Sequence, residues 1–323
     1  MKNIPDNHFG ELRNEKLRKI IKENAISNAY IFHGPENIGK KESALRFIAE
    51  IINKNNADFN AYTKLKDNNY PDYLVIEPTF LFRGKIINFS ELAGEMKQKT
   101  KPLIRIEQIR NIKDFLSKKS IQSEKKFILI NDAHLLNESS SNCLLKTLEE
   151  TSNAVFILLT SRFNLLLDTI ISRCHSIRFK PYSYNELKNF LKDSNHQLNS
   201  EVLENHYLEN LILISNGSPG KLLKNLELWN QIPLEIRDSI KSPQKKFDEV
   251  LYLSKNISIE LNLYQQEFLL EYMQRSWWNQ TKNIDTINIL ESIRKNINSN
   301  VQTRISWEVG LLKIIMQKNQ IMY

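Results

Sequence analysis

The run Gly34-Pro35-Glu36-Asn37-Ile38-Gly39-Lys40 follows a short apolar stretch, AYIFH, and precedes a segment in which Ala44, Phe47, Ile48, Ile51 and Ile52 recur at helical spacing. Strand, glycine-bearing turn and helix together make the setting in which a phosphate loop works. Backbone N–H groups cradle the phosphates, the lysine reaches the outer ones, and a Ser or Thr hydroxyl after it holds Mg²⁺. Here the hydroxyl position is Lys41. An ammonium group has no lone pair for a cation and repels it. Ser43, two residues further on, points to another side of the helix.

The partner of such a loop is an apolar strand ending in two acids, one for the outer shell of the metal and one to activate water. In this chain FILI ends in Asn131-Asp132-Ala133-His134. The metal-side acid is a neutral amide, and the water-activating position is an Asp, one methylene shorter than Glu. Gly34, Gly39, Lys40 and Asp132 are therefore read as a degenerate nucleotide site, with fold kept and catalysis lost. Two alternatives stay open: the glycines only shape a tight turn, or ATP or ADP is held without turnover. No nucleotide is required as a cofactor. His134, beside the strand end, is the kind of residue that closes a strand-end hydrogen bond.

Charge supplies the second candidate. Residues 1–180 carry the whole net charge of +8, while the remainder is balanced. The basic residues are densest over 97–126, and Arg105, Arg110 and Lys113 lie in a helical pattern whose apolar positions are 106, 109, 112, 115 and 116. Such a stripe neutralises nucleic-acid phosphates, or is a solvated helix face. Other chemistry is absent from the pattern. Cys143 and Cys174 are too few for a disulfide framework or a thiolate zinc module. The six histidines fall in no nucleophile or metal motif, so neither zinc nor another metal is expected. No apolar run approaches the ~20 residues of a membrane span, and the first thirty residues mix both charge signs. A cytoplasmic protein with no membrane partner is expected.

The elements that must position these groups are legible as a pattern. Apolar runs at 29–33, 73–77, 127–130 and 155–160 are separated by helical segments, including 139–150. Four continuous apolar strands between helices predict an α/β domain whose parallel sheet is covered on both faces. After about residue 178 the strand signals stop. The expected organisation is a P-loop-like α/β domain over 1–178, a small helical domain over 179–222 ending near Gly217-Ser218-Pro219-Gly220, and an all-helical domain over 223–323. One ring of the pair Trp277-Trp278 is expected in a helix interface, the other exposed or at a subunit contact.

Taken in order, GPENIGK, NDAHLL, SNCLLKTLEE, FILLTS and Ile171-Ser172-Arg173-Cys174 resemble the bacterial clamp-loader subunits of the AAA+ class. The resemblance covers roughly residues 8–223, with NAYIFHGP and NNYPDYLVIEP among the matching segments. It implies an AAA+ sheet domain, a helical lid and a helical collar for oligomerisation. It also implies a five-subunit ring with ATP at subunit interfaces, which opens a sliding clamp and places it on primed DNA, so that the DNA backbone would be touched by Arg105, Arg110 and Lys113. The partners implied are ATPase subunits of the gamma/tau type, a delta-type subunit and the clamp. By the same resemblance Arg173 is an arginine finger acting in trans on a neighbour's ATP, a role that suits an always-charged planar guanidinium. Departures matter. Lys41, Asn131 and Gly220, the last standing where motor subunits carry an arginine, point to a non-hydrolysing, stator-like subunit. A self-sufficient DNA-dependent AAA+ ATPase, of the motor or branch-migration kind, is the competing reading. The zinc module of many relatives is missing, and residues 79–103 read as an inserted basic surface loop.

Overall fold

The computed structural model describes residues 14–56, 60–82, 85–88, 101–193, 205–244, 246–299 and 301–320. The chain divides into two compact units between Pro181 and Tyr182. No described helix is long and apolar enough to cross a membrane.

The first unit runs α1 (Glu15–Lys22), β1 (Ala29–His33), α2 (Lys40–Asn56), α3 (Ala61–Lys66), β2 (Tyr73–Ile76), β3 (Thr79–Phe82), β4 (Lys85–Asn88), α4 (Ile106–Ser117), β5 (Lys126–Ile130), α5 (Glu138–Glu150), β6 (Ala154–Thr160), α6 (Asp168–Ile171) and β7 (His175–Arg178). The main sheet has the order β2-β5-β6-β1-β7 and all its pairings are parallel. The alternation of strand side chains explains its burial. On β1, Tyr30 and Phe32 pack with Phe47, Ile48 and Ile51 of α2, while Ala29 and Ile31 face the opposite layer with Ile109, Ile112 and Leu144 of α4 and α5. A strand buried on both faces must be apolar at every position, which is why these runs were continuous rather than alternating.

Three features differ from the sequence expectation. The sheet has a fifth strand, β7, which carries one buried residue, Ile177, and so left no apolar run to see. Residues 79–82 and 85–88, expected within a basic surface loop, pair as the antiparallel strands β3 and β4, with Phe80 buried and Thr79 bridged to Leu103. Residues 83–84 and 89–100, with Lys97 and Lys99 of the basic stripe, lie outside the described residues. Lys126, counted in the stripe, is buried on β5. Its ammonium group donates to the carbonyls of Phe115 and Lys118 and so ties α4 and the turn after it to the sheet.

The second unit is helical: α7 (Tyr184–Asp193), α8 (Asn205–Ile214), α9 (Pro219–Gln231), α10 (Leu234–Ser239), α11 (Phe247–Glu260), α12 (Leu263–Thr281), α13 (Ile284–Asn298) and α14 (Thr303–Gln320). The boundary expected at 222/223 falls inside α9, which begins where Ser218 caps it and Pro219 takes the first turn. Because α8 and α9 both pack on α12, the two helical portions share one compact unit. Three tryptophans anchor it. Trp229 lies 4.4 Å from the Tyr272 ring, Trp277 donates to the Ile240 carbonyl at 2.8 Å, and Trp307 donates to Gln266 at 2.9 Å. Trp277 is the buried member of the pair, and Trp278 is half-buried beside Lys282.

Candidate functional site

Parallel strands bring their C-terminal ends to one edge of the sheet, the edge where open α/β folds bind ligands. Here β1 ends at the glycine turn, β2 at Glu77, β5 at Asn131-Asp132 and β6 at Thr160. The turn is shaped by backbone that favours glycine. Gly34 has φ +152° and Gly39 φ +92°. A Cβ on Gly34 would lie 2.4 Å from the carbonyl oxygen of Phe179, which follows β7, so no other residue fits. The Gly34 amide in turn donates to the Thr160 carbonyl at 3.3 Å, locking the turn to the end of β6.

Lys40 does not reach into open space. Its ammonium group donates to the carbonyls of Gly34 at 2.8 Å and Pro35 at 2.6 Å, folding back over its own loop. Burial pushes its pKa down, against the opposing pull of Asp132 and Glu36. Lys41, in the place of the metal-binding hydroxyl, forms an ion pair with Glu77 at 2.8 Å. A cation and a carboxylate thus neutralise one another near the position where Mg²⁺ would need a hydroxyl oxygen. Asp132 adopts a left-handed conformation, φ +49°, after β5. Burial raises its pKa first, and the carboxylates of Glu36 and Glu77 raise it further, while His134 and Lys40 oppose them. Burial likewise lowers the pKa of His134, whose Nδ1 lies 3.3 Å from the Thr160 hydroxyl. Gly34, Gly39, Lys40 and Asp132 therefore lie at one edge of the sheet, with Lys40 and Asp132 close enough to act on each other's charge. Among the described residues, no group of three His, Cys, Asp or Glu side chains converges on a metal position.

Sequence reasoning missed Glu77 and the Phe179 carbonyl. Glu77 ends the apolar run read as a strand, and only the tertiary structure sets it against Lys41 at the start of α2. Nothing in the local sequence signals a main-chain oxygen 145 positions away from the glycine it constrains.

Arg173 lies in the turn between α6 and β7, and its side chain is exposed. Its Nη2 is ion-paired with Glu149 at the end of α5, and its Nη1 donates to the Thr169 carbonyl at 3.1 Å. Its neighbour Cys174 is packed against the core layer below the sheet, and burial pushes its thiol up to about 12, which makes it inert. The three basic candidates do not share one face. Arg110 and Lys113 lie one turn apart on the exposed side of α4, with Lys113 paired to Glu150 at 3.4 Å. Arg105, which precedes the helix, is half-buried, and its Nε is enclosed without a hydrogen-bond partner among the described residues. In the helical unit Lys221, next to the vacant arginine position at Gly220, pairs with Glu271 at 2.6 Å.

The parallel sheet and the glycine turn after its first strand define a P-loop-like α/β unit, which a helical unit follows in the chain. Residues 11–183 match the family described as DNA polymerase III, delta subunit, and residues 185–314 match the cyanobacterial DNA polymerase III delta prime C-terminal domain. The chain belongs to the DNA polymerase III delta-subunit family, and it is delta-prime-like. It is 30% identical over 155 residues to DNA polymerase III subunit delta' of Pseudomonas aeruginosa, covering 46% of this chain and 42% of that one. The match to subunit delta' of Bacillus subtilis is 28% over 171 residues, covering 51% and 46%. The chain thus spans less than half the length of these curated relatives. A gamma subunit-related protein of Thermotoga maritima overlaps 94% of this chain and all of its own at 18% identity and a TM-score of 0.46, a likeness that carries no functional argument.

Proposed function

We infer that this chain is a clamp-loader subunit that hydrolyses no ATP itself and supplies Arg173 to the ATP held by a neighbouring subunit. The observation that carries the reading is the pairing of opposites in one domain. The lysines of the glycine turn are engaged within the chain, Lys40 on the loop carbonyls and Lys41 on Glu77, while the guanidinium of Arg173, paired with Glu149, is exposed on the turn before β7 and keeps further N–H donors for an outside anion. A site that cannot place Mg²⁺ cannot stabilise phosphoryl transfer, since metal and fixed cations carry most of that catalysis. An exposed guanidinium can lend such charge elsewhere.

The partners in this reading are gamma/tau-type and delta-type polymerase III subunits, a sliding clamp and the backbone of primed DNA, in the cytoplasm. The names of the relatives support the first of these. Neither nucleotide nor zinc is required by this chain, and ATP or ADP at the turn would be a passive occupant. Contacts by Arg110 and Lys113 would go to phosphates rather than bases, because loading must work at any sequence.

Two measurements test the proposal. The purified chain mixed with its partner subunits should co-elute on a sizing column while showing no magnesium-dependent ATP turnover alone. In the assembled complex, Arg173→Ala should leave assembly intact and lower ATP turnover by a factor on the order of 10³, at the lower end of arginine-finger effects. Robust turnover by the isolated chain would mean a self-sufficient ATPase instead. Unchanged turnover in the R173A complex would remove the finger.

A further inference from the structure

We propose that Glu149 is the positioning residue of Arg173, holding the guanidinium so that its remaining donors are ordered before a neighbour's phosphate arrives; this rests on the reading of Arg173 given above. An arginine side chain carries a large rotamer entropy, and an exposed one is spread over many conformers. Arg173 is gripped on two of its nitrogens, Nη2 by the Glu149 carboxylate and Nη1 by the Thr169 carbonyl. A guanidinium has five N–H donors in a fixed fork, so three remain for an anion from outside the chain.

The location of Glu149 supports the assignment independently. It is the penultimate residue of α5, followed by Glu150, and the last turn of this helix contains no basic residue. Carboxylates at a helix C-terminus face the negative end of the backbone dipole, so two in succession work against the helix that carries them. Each has a cation from a different element, Glu149 with Arg173 and Glu150 with Lys113 of α4. Helix α5 gains nothing from Glu149 on its own account. A local rule broken in this way marks a residue placed for its partner rather than for its helix. The pair is also suited to its task energetically. Both side chains are about half exposed, 41% for Arg173 and 51% for Glu149, so the ion pair is weak enough not to hold the finger away from a triphosphate.

The test uses the complex assembled with the gamma/tau-type and delta-type subunits of the same organism, with ATP as substrate. Glu149→Ala should lower kcat about two- to fivefold, the kinetic equivalent of one exposed ion pair, with KM for ATP unchanged. Glu149→Gln, which keeps an acceptor without charge, should fall between the two. Added to Arg173→Ala, the Glu149→Ala change should have no further effect, because a positioning residue has nothing left to position. Co-elution on a sizing column checks that each variant assembles, as expected for an exposed pair. If R173A abolishes turnover while E149A matches the unmodified chain, the positioning role is wrong and the finger stands. If E149A lowers turnover equally with and without Arg173, Glu149 acts by another route and the proposal falls. If R173A itself changes nothing, the finger reading fails and takes this inference with it.

Discussion

Asp72 shows how one buried charge organises a turn in the first unit. It accepts hydrogen bonds from the amides of Ile121, Gln122 and Ser123 and from the Ser123 hydroxyl, at distances between 2.6 and 3.2 Å. Burial alone would raise its pKa, but the donors of Gln122, Ile121 and Ser123 outweigh it and hold the carboxyl below its usual range. A carboxylate with a depressed folded pKa stabilises the protein above its unfolded pKa of about 3.9, and that stability is lost as the pH falls through the folded pKa. Asp72→Ala should therefore cost about 3 kcal/mol at pH 7, the scale of a charged hydrogen-bonded group whose donors lose their partner. Urea midpoints measured from pH 7 down to pH 3 should show the gap between variant and unmodified chain closing below about pH 4. A gap that stayed constant with pH would mean that the charge of Asp72 contributes nothing. The same residue lies in the segment NNYPDYLVIEP, where its identity was visible and its loop partners, some fifty residues on, were not.

At the scale of elements, the helical unit depends on one close approach. Gly310 of α14 faces α13, and a Cβ there would stand 2.4 Å from both Cγ1 and Cδ1 of Ile293, a fully buried side chain. Gly310→Val should lower stability by about 1–3 kcal/mol, the range for added volume in a packed core, even though glycine is itself a poor helix former. Chemical denaturation followed by helical circular dichroism would measure it, and an unchanged midpoint would mean that α13 and α14 can move apart freely. Helix α4 works differently. Its start is fixed when Gln108 accepts from the Arg105 amide at 3.0 Å and donates to the Glu77 carbonyl at 2.8 Å. That contact joins the basic helix to the strand end that neutralises Lys41.

The molecule as a whole carries its entire net charge of +8 in residues 1–180. Charge of that kind attracts phosphate chains without reading sequence. Within the assembled complex, Arg110→Glu should weaken DNA binding uniformly across sequences and lower the magnitude of the salt slope by about 1, as expected for one lost phosphate contact. A fluorescence-anisotropy titration over a salt series would test it. An unaltered slope would make the exposed side of α4 a solvated face, the reading the sequence had left open beside phosphate binding.

Local chemistry determined a great deal by itself. The strands read at 29–33, 73–77, 127–130 and 155–160, the helices that follow them and the glycine turn were legible to within a residue or so, because apolar periodicity and φ-permissive residues act over a few positions. Lys41 and Asn131 likewise marked, by residue type alone, where the chain departs from a phosphate-loop pattern. Only the tertiary structure decided what these positions meet. Glu77 meets Lys41, Glu149 meets Arg173, and Phe179 closes on Gly34 because strand pairing and helix packing bring together residues far apart in the chain. β7, Lys126 and the continuous α9 escaped for the same reason: burial and pairing across elements, which no window of neighbouring residues records, determined their place.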